Sequence, residues 1–486
     1  MEQRGAPALG CTNWKDSTSV PNYGYDVPDN FYFGGGGGTF GTPLGIAALL
    51  VAIILTLFLQ RKYIVVPFLL AGLLVPPWNN LMVAGLNFHA DRLLLLAAWV
   101  RLLIGGERYP DRLNTLDKVF LAAALTNAIC YSLVWRQFGA VVNRAGFLFS
   151  ALGTYFLLRS LIRDKEDIIR VLKVLAIAVI VLAPLLWYEH MTQHNAFSFL
   201  GAPDSVAIRN NRVRATGPFG SAINAGTMGV MLIPLFVGLW WSRPDSRLLA
   251  AFGIASSTIM MFASQSSTPV MTFPAAFLGL AMWPFRDKMR MVRRGIIVML
   301  IGLQLVMKVP IWFVLERAGG LFGGSGTHRA FLIDHFIHHF FEWFLIGTRN
   351  NVNWGWDMWD VDNAYVGAGV MGGLLGFILF LAIFVYGYKT IGAGWRMAQG
   401  SEGDARLIWA FGAALFANTI AFFGIVYFDQ SAIAWYALLV MIAVTKDYVA
   451  RQQIARLQPM AMGVPTSVAS GRTLGAFNSH YKPRAQ

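Results

Sequence analysis

ERAGGLFGGSGTHRAFLIDHFIHHFFEWFLIGTRNNVNWGWDMWDVDNAY occupies residues 316–365 and is the longest polar interruption in a chain otherwise made of apolar runs. Half of the eight histidines fall in it, at His328, His335, His338 and His339. Arg317, Arg329 and Arg349 accompany them, with Asp334, Glu342, Asp357, Asp360 and Asp362. Apolar segments flank it near 295–315 and 364–388. So many titratable groups between two such segments read as the lid and half of the active site of a polytopic membrane enzyme.

Composition sets the solvent. The 486 residues are 56% hydrophobic and only 13% charged, whereas soluble domains carry roughly twice that charged fraction. Mean hydropathy is +0.53. Cys11 and Cys130 stand far apart, one in a tail and one inside an apolar run, so neither a disulfide framework nor a thiolate metal site is expected. The net charge of +14 sits in short loops between apolar runs, the pattern of topology signals rather than of a nucleic-acid surface. No cleavable signal peptide is expected, because the first 43 residues are polar and Gly-rich.

The chain divides into a flexible tail over residues 1–43 ending in Gly34 to Gly38, a transmembrane domain over 44–450, and a cytoplasmic tail over 451–486. Apolar runs lie near 44–59, 64–83, 93–104, 118–135, 145–162, 171–188, 222–241, 248–264, 270–284, 295–315, 364–388, 406–427 and 431–446. A spanning helix needs about 20 residues, fewer where a flanking Arg or Lys snorkels, which predicts about 12 or 13 helices. The fold class is thus all-α and polytopic, with one large extracytoplasmic loop, 316–362, that contains an amphipathic helix. Dyad alternation is absent, which argues against an outer-membrane barrel. No internal repeat is visible, which counts against a transporter built from inverted halves.

Lys and Arg set the orientation. The 159–173 loop carries Arg159, Arg163, Lys165, Arg170 and Lys173, and the 285–294 loop carries Arg286, Lys288, Arg290, Arg293 and Arg294. Both are expected in the cytoplasm, with 242–247, 389–406 and the C-terminal tail. Alternation then puts 189–221, 265–269, 316–362 and 428–430 outside.

Three stretches on that outer side carry chemistry. IRNNRVRATGPFGSAINAG, residues 208–226, brings Arg209, Arg212 and Arg214 to the side that basic residues avoid. A guanidinium there can grip a phosphate or diphosphate, and Gly217, Pro218 and Gly220 let backbone N–H groups approach an anion. The alternative is binding of lipid headgroups. In the segment from His328 to Phe344, helical periodicity puts Asp334, His335, His338, His339 and Glu342 on one arc opposite a phenylalanine-rich face, an amphipathic helix at the interface. His335 and His339 have a metal-compatible spacing, but no HExxH pattern accompanies them and no metal site is expected. Arg329 stands apart from the His face, free to reach a phosphate. In WDMWDVDNAYVGAGVMGGLLGFILFL, residues 356–381, Asp362 and Asn363 sit at the mouth of an apolar helix. Asp362 reads equally as a helix cap or as a general base. Trp354, Trp356 and Trp359 suit either an interfacial belt or sugar-stacking platforms.

Together these pieces resemble the O-antigen ligase and polysaccharide polymerase (Wzy/WaaL) superfamily of bacterial membrane proteins. RATGPFGSAINAG resembles its Arg-x-x-Gly-x-Phe motif, THRAFLIDHFIHHFFEWFLIGT its Arg-led periplasmic helix, and DNAYVGAGVMGGLLGF its His-Asn-x-Tyr-Leu motif before a Gly-rich helix. The likeness runs over roughly residues 140–445. It implies a metal-independent glycosyltransferase of the bacterial inner membrane with its active site in the periplasm and no cofactor. The substrates implied are a polyprenyl-diphosphate-linked glycan donor and a glycan or other hydroxyl acceptor. Membrane lipids and other envelope-polysaccharide assembly proteins are the implied partners, and no nucleic acid is.

By motif, Arg214 and Arg329, helped by Arg212, would hold the diphosphate. Asp362 stands where the ligases of the family carry histidine, which favours a polymerase of exopolysaccharide or O-antigen over a lipopolysaccharide ligase. A sugar diphosphate is already activated, so its departing charge needs cations, and the acceptor hydroxyl needs a base. Asp362 is the candidate base, with His328, His335, Asn363 and Tyr365 as accessory groups. The competing class is a transporter or flippase of lipid-linked glycans. It predicts charges within the spans, and the spans from 222 onward are nearly free of them.

Overall fold

A membrane requires backbone hydrogen bonds to close within each apolar run, and each of the thirteen runs contains a helix, although 64–83 ends in a strand and 295–315 breaks between the helices Met289–Val306 and Val314–Leu321. The computed structural model describes residues 40–83, 86–107, 112–209, 211–321 and 326–461. The expected Gly-rich tail, up to residue 39, and the chain beyond 461 lie outside the described residues. The last helix continues through residue 461, into the segment expected as the C-terminal tail.

Helices α1 (Pro43–Phe58) and α2 (Arg61–Leu74) are followed by a hairpin of β1 (Asn80–Val83) and β2 (Leu86–His89) and then by α3 (Ala90–Ile104). Next come α4 (Thr115–Trp135), α5 (Phe138–Leu161) and α6 (Lys165–Thr192). A ribbon of β3 (Ala207–Arg209) and β4 (Arg212–Arg214) precedes α7 (Ala222–Ser242), α8 (Arg247–Ala263), α9 (Ser267–Ala281) and α10 (Met289–Val306). The polar stretch holds α11 (Val314–Leu321), α12 (Gly326–His338) and α13 (Phe340–Trp343). The chain then finishes through α14 (Ala364–Met397), α15 (Glu402–Ala421) and α16 (Asp429–Ala461).

Among the described residues, α4, α5, α6, α7, α8, α14 and α16 are long and apolar enough to cross a membrane. An eighth joins them if α10 and the segment Ile311–Arg317, bent by 93°, form one broken span. The protein is therefore an all-α, multi-pass membrane protein. The remaining apolar helices are short: α1, α2, α3 and α9 have 16, 14, 15 and 15 residues. At 1.5 Å per residue that is about 21–24 Å, against about 30 Å of hydrocarbon. Helix α15 has 20 residues but begins with Glu402, Asp404 and Arg406.

Helices α7 and α16 form the centre, with 89% and 78% of their apolar windows buried. Helix α7 packs on α8, α9 and α15, and α14 packs on α4 and α16. At one end of the bundle, ion pairs tie the inter-helix loops together: Arg61 and Arg163 to Glu107, Lys165 to Asp404, Arg243 to Glu166, Lys173 to Asp245, and Arg159 to both Asp117 and Asp447. The arginine ribbon and the polar stretch belong to the opposite end, reached from the C-terminus of α6 and the N-terminus of α14.

The segment expected as one amphipathic helix from His328 to Phe344 is two pieces, α12 and α13, broken at His339. The Trp343 indole N–H donates to the Phe336 carbonyl at 2.7 Å, and the two rings stack at 3.9 Å. The expected polar arc also divides. Asp334 is buried and accepts the Trp312 indole N–H at 3.1 Å, whereas the His338 side chain is 66% exposed. This unit is fixed to α14 at a break in that helix, where Gly373 has φ +64. The groups freed there bind the loop after α13, as Thr348 N donates to Val370 O (2.9 Å) and Leu374 N to Phe344 O (2.8 Å).

Candidate functional site

The arginine ribbon exists because the end of α6 grips it. Buried Glu189 uses both carboxylate oxygens on the connection after β4. Its Oε1 accepts from Thr216 N (2.8 Å) and Thr216 Oγ1 (3.1 Å), and its Oε2 accepts from Gly217 N (2.7 Å). The next residue, His190, contacts the Val213 carbonyl through Nδ1 at 2.9 Å. Asn195 Nδ2 donates to Gly217 O at 2.8 Å, and Gly217 takes φ +59, a conformation that favours glycine. Ser221 then caps α7 by accepting from Ile223 N.

Register decides where the guanidinium groups go. Arg209 lies directly across from Arg212, and Ala207 across from Arg214. Opposed residues share a face and alternate residues return to it, so Arg209, Arg212 and Arg214 all stand on one side of the ribbon. Among the described residues none of the three side chains has a hydrogen-bond or ion-pair partner, and Arg214 Nε is buried without an acceptor. Burial, followed by the charges of Arg209 and Arg329, pushes Arg214 below the ordinary arginine value. Like charges placed opposite each other destabilise a ribbon, so this face suits an anion.

Arg329, in the first turns of α12, is 3% exposed and joins four elements. Its Nη2 donates to Thr268 Oγ1 (2.7 Å) and Gly424 O (3.4 Å), its Nη1 to Ser267 Oγ (3.3 Å), and its Nε to Asp362 Oδ2 (3.4 Å). Gly424 is required here: a Cβ on it would stand 2.7 Å from both Cζ and Nε of Arg329.

Asp362 is released for this pairing because Asn363, not Asp362, caps α14. The fully buried Asn363 accepts from Tyr365 N (2.9 Å) and Val366 N (3.2 Å) and donates to Phe423 O. The cap alternative for Asp362 is thus excluded. Its Oδ1 lies 3.6 Å from His328 Nδ1 and, though buried, has no hydrogen-bond partner. The Asp362 carboxylate raises His328 to about 9, with help from the Asp357 carbonyl 3.0 Å from Nε2 and against the opposing effect of burial. His328 is therefore protonated at neutral pH, and Asp362 sits between two cations.

Of the residues expected from sequence, the structure brings together Arg329, Asp362 and His328, with Arg214 close enough to feel the Arg329 charge. Arg212 stands on the ribbon face beside Arg214. His335 is elsewhere: it lies against Gly355 and next to His339, which stacks on Trp354 at 5.2 Å. Tyr365 faces α15, donating its hydroxyl to Thr419 O at 2.8 Å. Among the described residues no three His, Cys, Asp or Glu side chains group as metal ligands. Sequence reasoning passed over Glu189, His190, Thr268 and Gly424. The available signal was the Glu-His pair where the 171–188 run ends, shortly before the arginines.

Compared with known proteins, the chain matches no family model and no curated protein.

Proposed function

We propose that the protein is a metal-independent membrane glycosyltransferase that moves a glycan from a polyprenyl diphosphate carrier to a hydroxyl acceptor during assembly of an envelope polysaccharide or exopolysaccharide. The observation that carries this is a cluster of cations around one carboxylate: Arg329 and His328 on Asp362, with Arg214 near enough to feel the Arg329 charge. All thirteen apolar helices serve as spans, the short ones completed by flanking arginines that snorkel. The chain then alternates so that the ion-paired end faces the cytoplasm and the arginine end faces the periplasmic side of a bacterial inner membrane.

The chemistry follows from two buried atoms that lack partners. Arg214 Nε is a buried donor without an acceptor among the described residues, and Asp362 Oδ1 is faced only by protonated His328 Nδ1 at 3.6 Å, too long for a hydrogen bond. A diphosphate oxygen satisfies the first and an acceptor hydroxyl the second, which removes the cost of leaving both unmade. In the transfer, the hydroxyl oxygen attacks the anomeric carbon and the bond from that carbon to the diphosphate oxygen breaks. Its electron pair leaves with the diphosphate, and the hydroxyl proton passes to Asp362. Fixed guanidinium groups stabilise the growing charge on the leaving group, and protonated His328 adds to the same positive field. Asp at position 362 favours polymerisation over ligation to lipopolysaccharide.

A flippase is the second reading. On its side is Arg144 of α5, whose guanidinium meets Asn143, Asn127 and the Tyr131 ring and, among the described residues, no carboxylate. Deletion in the producing cell separates the two. Loss of a transferase leaves lipid-linked glycan on the outer face and no polymer. Loss of a flippase leaves it on the cytoplasmic face, and normal polymer in the deletion strain would refute both.

A further inference from the structure

The loop between the Trp354 anchor and Asp362 presents two exposed indoles that the charged site does not use. Trp356 is 74% exposed and Trp359 66% exposed. Their neighbours face the other way: Trp354 and Met358 are buried, 1% and 4% exposed, in a cluster with Leu332, Phe336 and Trp343. The Trp354 indole N–H donates to Glu342 Oε2 at 2.9 Å, and Asn351 Nδ2 donates to Met358 O at 2.9 Å. Asp357 takes φ +63, a left-handed conformation that aspartate tolerates better than most residues, and so turns the chain between the two indoles. The outward tryptophans are therefore held by inward ones, and neither outward indole N–H has a hydrogen-bond partner among the described residues.

The geometry points to a glycan-binding platform formed by Trp356 and Trp359 with the carboxylates of Asp357 and Asp360, at the edge of the Asp362 site. An indole face carries negative electrostatic potential and suits the C–H face of a pyranose ring, while sugar hydroxyls at the rim suit carboxylate acceptors. Continuity with the reacting centre is direct, because the Asp357 carbonyl contacts His328 Nε2 at 3.0 Å and His328 faces Asp362. Burial and the Asp362 charge push Asp360 above the ordinary carboxylate value, which places it beside Asp362 as well.

A bilayer is the other surface that takes exposed tryptophans, and charge argues against it here. Residues 350–363 hold three aspartates and neither Lys nor Arg. Interfacial tryptophans work alongside Lys and Arg anchors, whereas three carboxylates carry a desolvation cost at a bilayer, and the nearest basic residue in sequence, Arg349, turns to the Trp135 ring. A neutral, hydroxyl-rich ligand carries no such penalty. Choosing a glycan among hydroxyl-rich ligands rests on the transferase reading above; the platform itself stands on the exposure and anchoring of the two indoles.

The probe is a set of short oligosaccharides made by partial hydrolysis of the producing cell's own surface polysaccharide. They are added to the full-length protein in nanodiscs, and binding is followed by indole fluorescence and by saturation-transfer NMR on the sugar protons. Wild type binds, and Trp356→Ala and Trp359→Ala each weaken binding about tenfold or more, as loss of an aromatic anchor does. Both side chains are exposed, so these variants keep the wild-type melting temperature. Arg214→Ala keeps oligosaccharide binding while losing polyprenyl diphosphate, and the tryptophan variants do the reverse, so failure of the platform and failure of the diphosphate site are told apart. Absence of binding by wild type, equal binding by the double alanine variant, or quenching of the two indoles by brominated lipid would each overturn the platform, the last identifying them as bilayer anchors.

Discussion

Replacing Asp362 with asparagine should drop the pKa of His328 from about 9 to its ordinary value near 6.5 or below. The substitution keeps the shape of the side chain and leaves the α14 cap untouched, because Asn363 makes that cap. It removes the carboxylate 3.6 Å from His328 Nδ1, the largest cause of the elevation. The Asp357 carbonyl remains, but burial works against the charged imidazole, so little elevation survives. At about 1.4 kcal/mol per unit, the lost interaction is worth about 3 kcal/mol, a fair conversion for a side chain only 12% exposed. A raised histidine stabilises the fold fully below its unfolded value near 6.5, and the contribution fades as pH rises through 9. Wild type should therefore lose stability between pH 6.5 and 9 where the variant stays flat. The assay is NMR of histidine-labelled protein in nanodiscs, with His328→Gln to assign the resonance, alongside thermal unfolding across the same pH range. A His328 that titrates below pH 7 in wild type, or at the same pH in both proteins, would refute the ion pair and the positive field built on it.

Three further outcomes follow from the same contacts. Arg214→Ala should abolish glycan transfer at unchanged melting temperature, and Arg214→Lys should restore little, since an ammonium cannot form a two-pronged contact; full activity of the alanine variant would exclude a role in anion binding. Gly424→Ala should push the Arg329 guanidinium away from a Cβ that starts 2.7 Å from it, and a misplacement approaching 1 Å costs on the order of 100-fold in rate; an unchanged rate at wild-type stability would show that Arg329 need not be held in place. Glu189→Ala should leave three donors of the 216–217 connection unsatisfied, at about 1–3 kcal/mol each; hydrogen exchange at Thr216 and Gly217 should rise sharply, with Glu189→Gln intermediate, and unchanged exchange would contradict the clasp.

Much of the architecture could be read from the sequence because a membrane leaves an apolar run one option, and each run from 44–59 to 431–446 contains a helix. How many of them reach across was harder to read. Breaks such as the start of α2 at Arg61 and the acids opening α15 shorten the apolar stretch without changing its identity as a helix. At the site, Arg214, Arg329 and Asp362 were visible as polar residues between apolar runs, but which neighbour takes which task was not. Asn363 and Asp362 are both good caps by type, and only the path of α14 past Phe423 assigns the cap to Asn363. His335 and His328 share a segment, yet the break at His339 and the Trp354 stack carry His335 away from Asp362. Glu189 stayed hidden because its partners are backbone N–H groups, which leave no signature in side-chain identity.

The most direct measurement reconstitutes the purified protein in liposomes with a polyprenyl-diphosphate-linked glycan and follows both glycan products and freed polyprenyl diphosphate. Wild type should lengthen or transfer the glycan and release the carrier diphosphate in equal amount, while Arg214→Ala and Asp362→Asn, inserted and folded, should do neither. Release by wild type that persists undiminished in both variants, or no transfer by wild type at all, would contradict a diphosphate site built on the arginine ribbon and Arg329.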